Sequence, residues 1–325
     1  MPQGELAQVL RHVLPAADSP DLIVGPQGFD DAGALRRGDG RVALYTADFF
    51  PPVVDDAAAY GAIAAANSLS DIYAMGGEAT AVLNLAGFPA DWDDSVTGPL
   101  FAAAAAKVIE SGALWVGGHT VRVAEPLFGF AVFGEVAEED LVTNRAARPG
   151  DLLYLTKPLG SGSITTGVKK GLVAPEHVEA AQRGMAHLNR TGAAAMRAAG
   201  IKAATDITGF GLFGHASNIA RGSSVRLVLR AVALPLYAGA GELAAAGVLS
   251  GASARGRLSL GELVRVDPDA PGWLADLCFD AETSGGLLAC VPPSAEATFL
   301  QAFGAHPAPV LVGEVEAGPA GVSLA

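Results

Sequence analysis

The stretch from Ala57 to Met75 limits the fold more than any other part of this chain. Asp55 or Asp56 can cap its start and Gly76-Gly77 stop it, so the spacing predicts one long helix. Ala57, Ala58, Ala59, Ala62, Ala64, Ala65 and Ala66 give it a small-residue surface suited to close packing on a sheet. The flanks supply the strands. Val42–Thr46 precedes the helix and ends at Ala47-Asp48-Phe49-Phe50 before Pro51-Pro52, and Ala79–Leu85 follows it. A helix over Ser95–Ser111, a short strand Leu114–Val116 feeding a Gly117-Gly118-His119-Thr120 loop, and a strand Leu127–Val136 continue the alternation. Glu5–Leu14 reads as a short helix and Gly25–Leu35 as loop.

A turn at Arg148-Pro149-Gly150 divides the chain into 1–149 and 150–325. Beyond it come a strand Asp151–Thr156, a helical stretch Pro175–Ala199 weakened near Asn189, and a strand Ile201–Thr205. Asp206–Gly211 turns into a helix carrying His215. Leu287–Val291 reads as a buried strand. Ser250–Gly261 is polar, glycine-rich and basic, and is expected to be loop.

Charge narrows the function. The 325 residues hold 21 Lys plus Arg against 34 Asp plus Glu, a net −13, so the basic footprint of a nucleic-acid binder or an anionic-membrane binder is missing. An anionic substrate would need metal ions or backbone N–H groups to receive it. Cys278 and Cys290 have neither redox-motif nor zinc spacing and fit a reduced, cytoplasmic compartment. The start, Met1-Pro2-Gln3-Gly4-Glu5, does not look like a signal peptide, and no apolar run reaches membrane length.

The strongest chemical signal is a set of dispersed aspartates beside glycines or at element ends: Asp30, Asp31, Asp48, Asp71 and Asp206. Clustered carboxylates stay ionised together only if a cation neutralises them, and magnesium takes such hard oxygen ligands while sharing them with phosphates. Taken singly, each could equally cap a helix or form an Asx-turn; the Asp30-Asp31 pair between Gly28 and Gly33 favours a site. Asn67 and Asp71, four apart, share a helix face. Gly160-Ser161-Gly162-Ser163 lacks the lysine of a P-loop, and no dinucleotide fingerprint follows the first strand. Gly117, Gly118 and His119 could offer N–H groups or an imidazole to phosphate, and Lys157 a charge. His215 reads as capping or packing.

Together these segments resemble selenophosphate synthetase, the selenide, water dikinase family. The resemblance rests on Asp30-Asp31-Ala32, Thr46-Ala47-Asp48-Phe49-Phe50, Asn67-Ser68-Leu69-Ser70-Asp71-Ile72-Tyr73-Ala74-Met75-Gly76-Gly77 and Gly117-Gly118-His119-Thr120. Leu155-Thr156-Lys157-Pro158-Leu159-Gly160, Thr205-Asp206-Ile207-Thr208-Gly209-Phe210-Gly211-Leu212-Phe213-Gly214-His215 and Thr283-Ser284-Gly285-Gly286 extend it into the second half. The blocks from Asn67 and from Asp206 are the specific ones. The resemblance implies the two-domain fold of aminoimidazole ribonucleotide synthetase. In that fold an α/β N-terminal domain joins its sheet to that of a dimer mate in a barrel, and an α+β C-terminal domain follows. It implies conversion of ATP, selenide and water to selenophosphate, AMP and phosphate. It implies Asp31, Asp71 and Asp206 as magnesium ligands, and nucleotide contacts from Asp30, Asp48, Asp71 and the Gly117–His119 segment. A homodimer is implied as well.

The chain departs from the family at its start. The family's glycine-rich N-terminal segment, with its catalytic cysteine or selenocysteine and a lysine, would end about where Met1-Pro2-Gln3-Gly4-Glu5-Leu6 begins, and neither cysteine takes its place. The catalytic residues are therefore left unassigned, and weak or no overall turnover is expected, as for an inactive or truncated form. Gly251–Gly261 also departs from the family. Two alternatives remain open: another ATP-using member of the fold, such as a thiamine phosphate kinase, and a non-catalytic nucleotide-binding paralogue.

Overall fold

A computed structural model describes residues 19–304 and 306–325, together with Val9 and His12. Apart from those two residues, the helix expected over Glu5–Leu14 lies outside the described residues. The first sheet is built from β1 (Leu22–Val24), β2 (Gly33–Arg36), β3 (Arg41–Phe50), β4 (Glu78–Phe88), β5 (Leu114–Arg122) and β6 (Leu127–Ala137). Its order is β1-β2-β3-β6-β4-β5. β6 runs antiparallel to both β3 and β4, so those two are parallel and must be joined by a crossover. Helix α1 (Ala57–Ala74) is that crossover, and α2 (Asp94–Ser111) connects the parallel pair β4 and β5.

The local reasons are visible in the chain. The Asp56 carboxylate accepts the Ala59 N–H at 2.7 Å and starts α1. Gly76, at φ +74°, lets the chain turn away after Met75. Packing of α1 on α2 depends on Gly61: a Cβ built there would stand 2.1 Å from the Leu100 carbonyl oxygen. Gly61→Ala is therefore expected to force the helices apart and cost about 1–3 kcal/mol, read as a lower urea midpoint with an unchanged slope.

Two strands run further than the sequence indicates. β3 continues through Asp48 to Phe50, because β6 pairs with it residue for residue from Arg41↔Ala137 to Phe50↔Phe128. Likewise Gly117, Gly118 and His119 are not a loop. They lie within β5, paired with Leu83, Asn84 and Leu85 of β4. The predicted loop at 25–35 also gives way, from Gly33, to β2.

The second sheet has the order β10-β13-β9-β12-β7-β11-β8. Its strands are β7 (Leu152–Leu155), β8 (Ala203–Asp206), β9 (Arg226–Leu229), β10 (Val264–Val266), β11 (Leu287–Val291), β12 (Val310–Glu316) and β13 (Gly321–Leu324). β11 is buried at every residue, as its unbroken apolar run requires. The helices are α3 (Ser161–Lys169), α4 (Pro175–Met185), α5 (Arg190–Ala198), α6 (Gly211–Ser223), α7 (Ala240–Ala245), α8 (Gly251–Leu260), α9 (Gly272–Phe279) and α10 (Glu296–Phe303). The predicted helical stretch Pro175–Ala199 is thus two helices that separate before Asn189.

α8 replaces the loop expected over Ser250–Gly261. Contacts from distant residues create it. The Ser250 N–H donates to both Asp280 carboxylate oxygens at 3.1 Å, the Ser250 hydroxyl accepts the Ala252 N–H at 3.1 Å, and the Ser253 hydroxyl reaches the Asp276 carbonyl at 2.7 Å.

The two sheets meet along α1. Asn189 Nδ2 donates to Ser70 Oγ at 2.8 Å, and the Ser284 N–H donates to Asn67 Oδ1 at 2.9 Å. Just past the C-terminal end of α1, Arg197 Nη1 donates to the Gly76 carbonyl at 2.8 Å.

Candidate active site

That junction gathers the aspartates. Asp31 lies just before β2, Asp48 in β3, Asp71 in the last quarter of α1, and Asp206 at the end of β8. Residues from both sheets thus converge. Thr205 Oγ1 donates to Asp31 Oδ1 at 2.7 Å across the interface. The Thr46 hydroxyl donates to Asp71 Oδ2, and Asn67 Nδ2 donates to Asp48 Oδ2 at 2.7 Å. Candidate ligand atoms of Asp31, Asp206 and His215 lie within 4.8 Å of one another.

Their electrostatics are dominated by burial and by mutual repulsion. Burial pushes Asp206 up to about 6, with the Asp48 charge adding to it and the Ser70 hydroxyl and Lys157 opposing. Burial pushes Asp48 to about 6 as well, against the Asn67 hydrogen bond. Asp31 and Asp71 stand well above the ordinary carboxylate range, first through burial and then through repulsion from Asp206. Oδ2 of Asp31 and Oδ2 of Asp206 are buried and accept no hydrogen bond. Buried carboxylate oxygens without donors cost several kcal/mol each as anions unless a cation meets them. This donor set, all hard oxygen, fits a divalent cation of the magnesium type.

His215, read from the sequence as capping or packing, borders this cluster. Burial brings its pKa down to about 4, so the ring is neutral. The Thr208 N–H donates to Nε2 at 3.2 Å, which fixes the ring proton on Nδ1, facing Thr205 Oγ1 at 3.4 Å. Both nitrogens are occupied within the protein. His215 therefore orients Thr205, and Thr205 orients Asp31.

Asp30 sits beside the cluster with its Oδ1 accepting the Asn144 N–H at 2.5 Å and its Oδ2 3.2 Å from Arg145 Nη2. Gly117, Gly118 and His119 are exposed on β5, an edge strand. Between β3 and β5 lie β6 and β4, a separation of roughly 14 Å at ordinary strand spacing. Within one chain the fold does not bring them to the carboxylates.

Two other basic or glycine-rich features are spent internally. Lys157 Nζ donates to the His187 and Ser284 carbonyls at 2.7 and 2.8 Å, and burial lowers its pKa to about 7. The Gly160 and Ser161 N–H groups at the start of α3 donate to Glu282 Oε1 and Oε2 at 2.6 and 2.9 Å. The helix start that resembles a phosphate loop already holds the chain's own carboxylate.

Known proteins match this chain in sequence and in fold. Residues 29–136 match the AIR synthase related protein, N-terminal domain family, and residues 148–324 its C-terminal domain. The selenide, water dikinase of Geobacter metallireducens is 44% identical over 296 residues, spanning 91% of this chain and 86% of that protein. That of Myxococcus xanthus is 40% identical over 325 residues, spanning 99% and 92%. Among solved structures, thiamine monophosphate kinase from Aquifex aeolicus superposes with a TM-score of 0.69 at 18% identity, covering 100% of this chain and 98% of that one. The hydrogenase maturation protein HypE in complex with ATP gives 0.66 at 17%, covering 98% and 90%. These two share the fold.

Proposed function

The chain belongs to the selenide, water dikinase family, and we propose that its carboxylate junction holds magnesium and ATP for the synthesis of selenophosphate from selenide and water, with release of AMP and phosphate. The observation that carries this reading is the pair of buried, donorless oxygens on Asp31 and Asp206, contributed by different sheets. Asp31, Asp71 and Asp206 would hold the metal, and Asp30, Asp48 and Asp71 would face the nucleotide. Bound magnesium supplies neutralisation of the phosphates and of the charge that develops on the leaving oxygen. The chain's own residues set the geometry: Thr46 orients Asp71, Asn67 orients Asp48, and the His215–Thr205 pair orients Asp31.

Gly117, Gly118 and His119 enter through a second copy. β5 is an edge strand with Leu114, Val116 and Val121 exposed, a surface that supports pairing with a dimer mate and closure of a barrel. In a homodimer this strand can reach nucleotide that its own carboxylates do not hold. The unit 1–149 would then carry metal, nucleotide and dimer contacts, with 150–325 supplying Asp206. Among the described residues no helix is long and apolar enough to cross a membrane; the cytoplasm is the proposed location.

The product distinguishes the readings whatever the rate. With ATP, magnesium and selenide, phosphorus NMR is expected to show AMP, phosphate and selenophosphate in step, with AMP dependent on selenide. ADP as the end product, indifferent to selenide, would instead favour a kinase such as one acting on thiamine phosphate.

A further inference from the structure

A cavity of about 260 Å³ lies between the turn after β7, the connection from α4 to α5 and the residues after α10. It falls below the roughly 300–1,000 Å³ of pockets that take drug-sized ligands, so it suits a small occupant. Its charged and titratable lining is of one kind: Lys157, Arg183, His187 and His306, with no carboxylate among the lining residues. Arg183 is exposed, and the nearest acid to it, Glu179 at 3.5 Å, is itself exposed and outside the lining. In a chain of net charge −13 this is a local reversal. A concave surface lined by one sign of charge concentrates small ions of the other.

Lys157 is the residue that points to a ligand. Its side chain is buried, with the residue 6% exposed, and its Nζ donates to two neutral carbonyls, those of His187 and Ser284. Those bonds use two of the three donors of an ammonium. Among the described residues no carboxylate lies within ion-pair distance of it. Buried charges are ordinarily paired, because an unpaired one gives up its hydration without return. The cavity thus borders a buried cation that has no counter-ion.

The same wall touches the carboxylate junction. Asn189, also in the lining, donates to Ser70 Oγ at 2.8 Å, and the Ser70 hydroxyl bonds Asp206. The Asp206 charge also acts on the Lys157 ammonium. Lys157 and Asn189 therefore stand between the cavity and Asp206.

Two small inorganic anions belong to the proposed reaction, hydroselenide entering and orthophosphate leaving. Orthophosphate has four oxygens to satisfy and suits a wholly polar pocket. Here Leu188, Phe303 and Pro307 make much of the wall apolar. A large, weakly hydrated monoanion such as hydroselenide needs one positive charge in an apolar surround. We propose that this cavity is a binding subsite for the selenium substrate as hydroselenide, with Lys157 as its counter-ion and Arg183 drawing it in from solvent. The proposal rests on selenophosphate synthesis as the function of the neighbouring junction.

Anaerobic calorimetry in a chelator, without nucleotide, tests it with sodium hydroselenide, sodium hydrosulfide and orthophosphate as probes. Hydroselenide and hydrosulfide should bind the unaltered chain, and orthophosphate should bind at least roughly tenfold more weakly. Lys157→Met should weaken hydroselenide at least roughly tenfold, the loss of one charge-assisted contact. Because Lys157 is buried, Arg183→Glu supplies a variant at an exposed position. It should weaken hydroselenide about threefold or more, while ATP affinity in magnesium changes less than about twofold. In crystals soaked with hydroselenide, anomalous scattering at the selenium edge should place selenium in this cavity. Selenium found only elsewhere, or affinities that ignore both substitutions, would overturn the subsite. So would orthophosphate binding there more tightly than hydroselenide, which would make the cavity an exit for product. Selenide-dependent AMP formation with the cavity empty would remove the subsite alone. Failure of magnesium and ATP to bind at the junction would strike the proposed function itself, and with it the assignment of this anion as a substrate.

Discussion

Asp206→Asn is expected to weaken magnesium-dependent ATP binding by at least roughly tenfold, about 1.4 kcal/mol, without weakening the metal-free fold near pH 7. Asp71→Asn should do the same. The opposite signs for binding and stability follow from one fact. Asp206 is held near 6 in the fold, against an ordinary value of 3.8. Between those two pH values the folded chain keeps a proton that the unfolded chain has lost. Raising the pH through this window therefore costs stability, and the penalty is fully present above the folded value. Asparagine carries no such penalty, so the metal-free variant should melt no earlier than the unaltered chain. A variant that lost binding merely by misfolding would melt earlier. Calorimetric titration with magnesium and ATP, paired with thermal melts in a chelator, reads both effects. Unchanged titration curves would refute the role given to Asp206.

The sequence carries the outline of this site because its pieces are locally constrained. The Asp56 cap and the Gly76 turn define α1, and four-residue spacing places Asn67 and Asp71 on one face. Asp206 comes at a strand end just before a glycine turn into a helix, a position legible from the pattern alone. Other features depend on residues far apart in the chain. Nothing near His215 indicates that Thr208 closes its Nε2, or that its Nδ1 acts on Asp31 through Thr205. Lys157 reads as a free charge until the Ser284 carbonyl arrives from 127 residues away. Gly160-Ser161-Gly162-Ser163, which lacks the lysine of a P-loop, gives no local sign that the N–H groups of Gly160 and Ser161 hold Glu282, more than 120 residues on. α8 has little apolar periodicity, and contacts with Asp276 and Asp280 make it a helix. In each case a partner distant in sequence decides what a local pattern leaves open.

Metal binding should be coupled to pH in a direction the same charges dictate. Without a divalent ion, Asp48 and Asp206 titrate near 6, and Asp31 and Asp71 hold protons well above the ordinary range. A cation binds the ionised forms, so it must displace these protons, and its affinity rises with pH. At pH 5 magnesium should scarcely move the melting temperature. By pH 8, at a hundredfold excess over its dissociation constant, it should add about 2.7 kcal/mol, roughly 4 °C for a chain of this size. Other buried groups do not imitate this difference. Glu282, held near 7 by burial, makes stability fall as pH rises from its ordinary 4.5. His215, held near 4, makes it rise up to its ordinary 6.5. Both act with or without the ion, so they cancel when melts with magnesium and with chelator are subtracted at each pH. Titration near pH 6 in buffers of different ionisation enthalpy should show proton release on binding. The release should shrink in Asp206→Asn, where one exchangeable proton is gone. A magnesium-induced shift that stayed level from pH 5 to pH 8, with no proton release, would mean the cation sits somewhere other than among these four carboxylates.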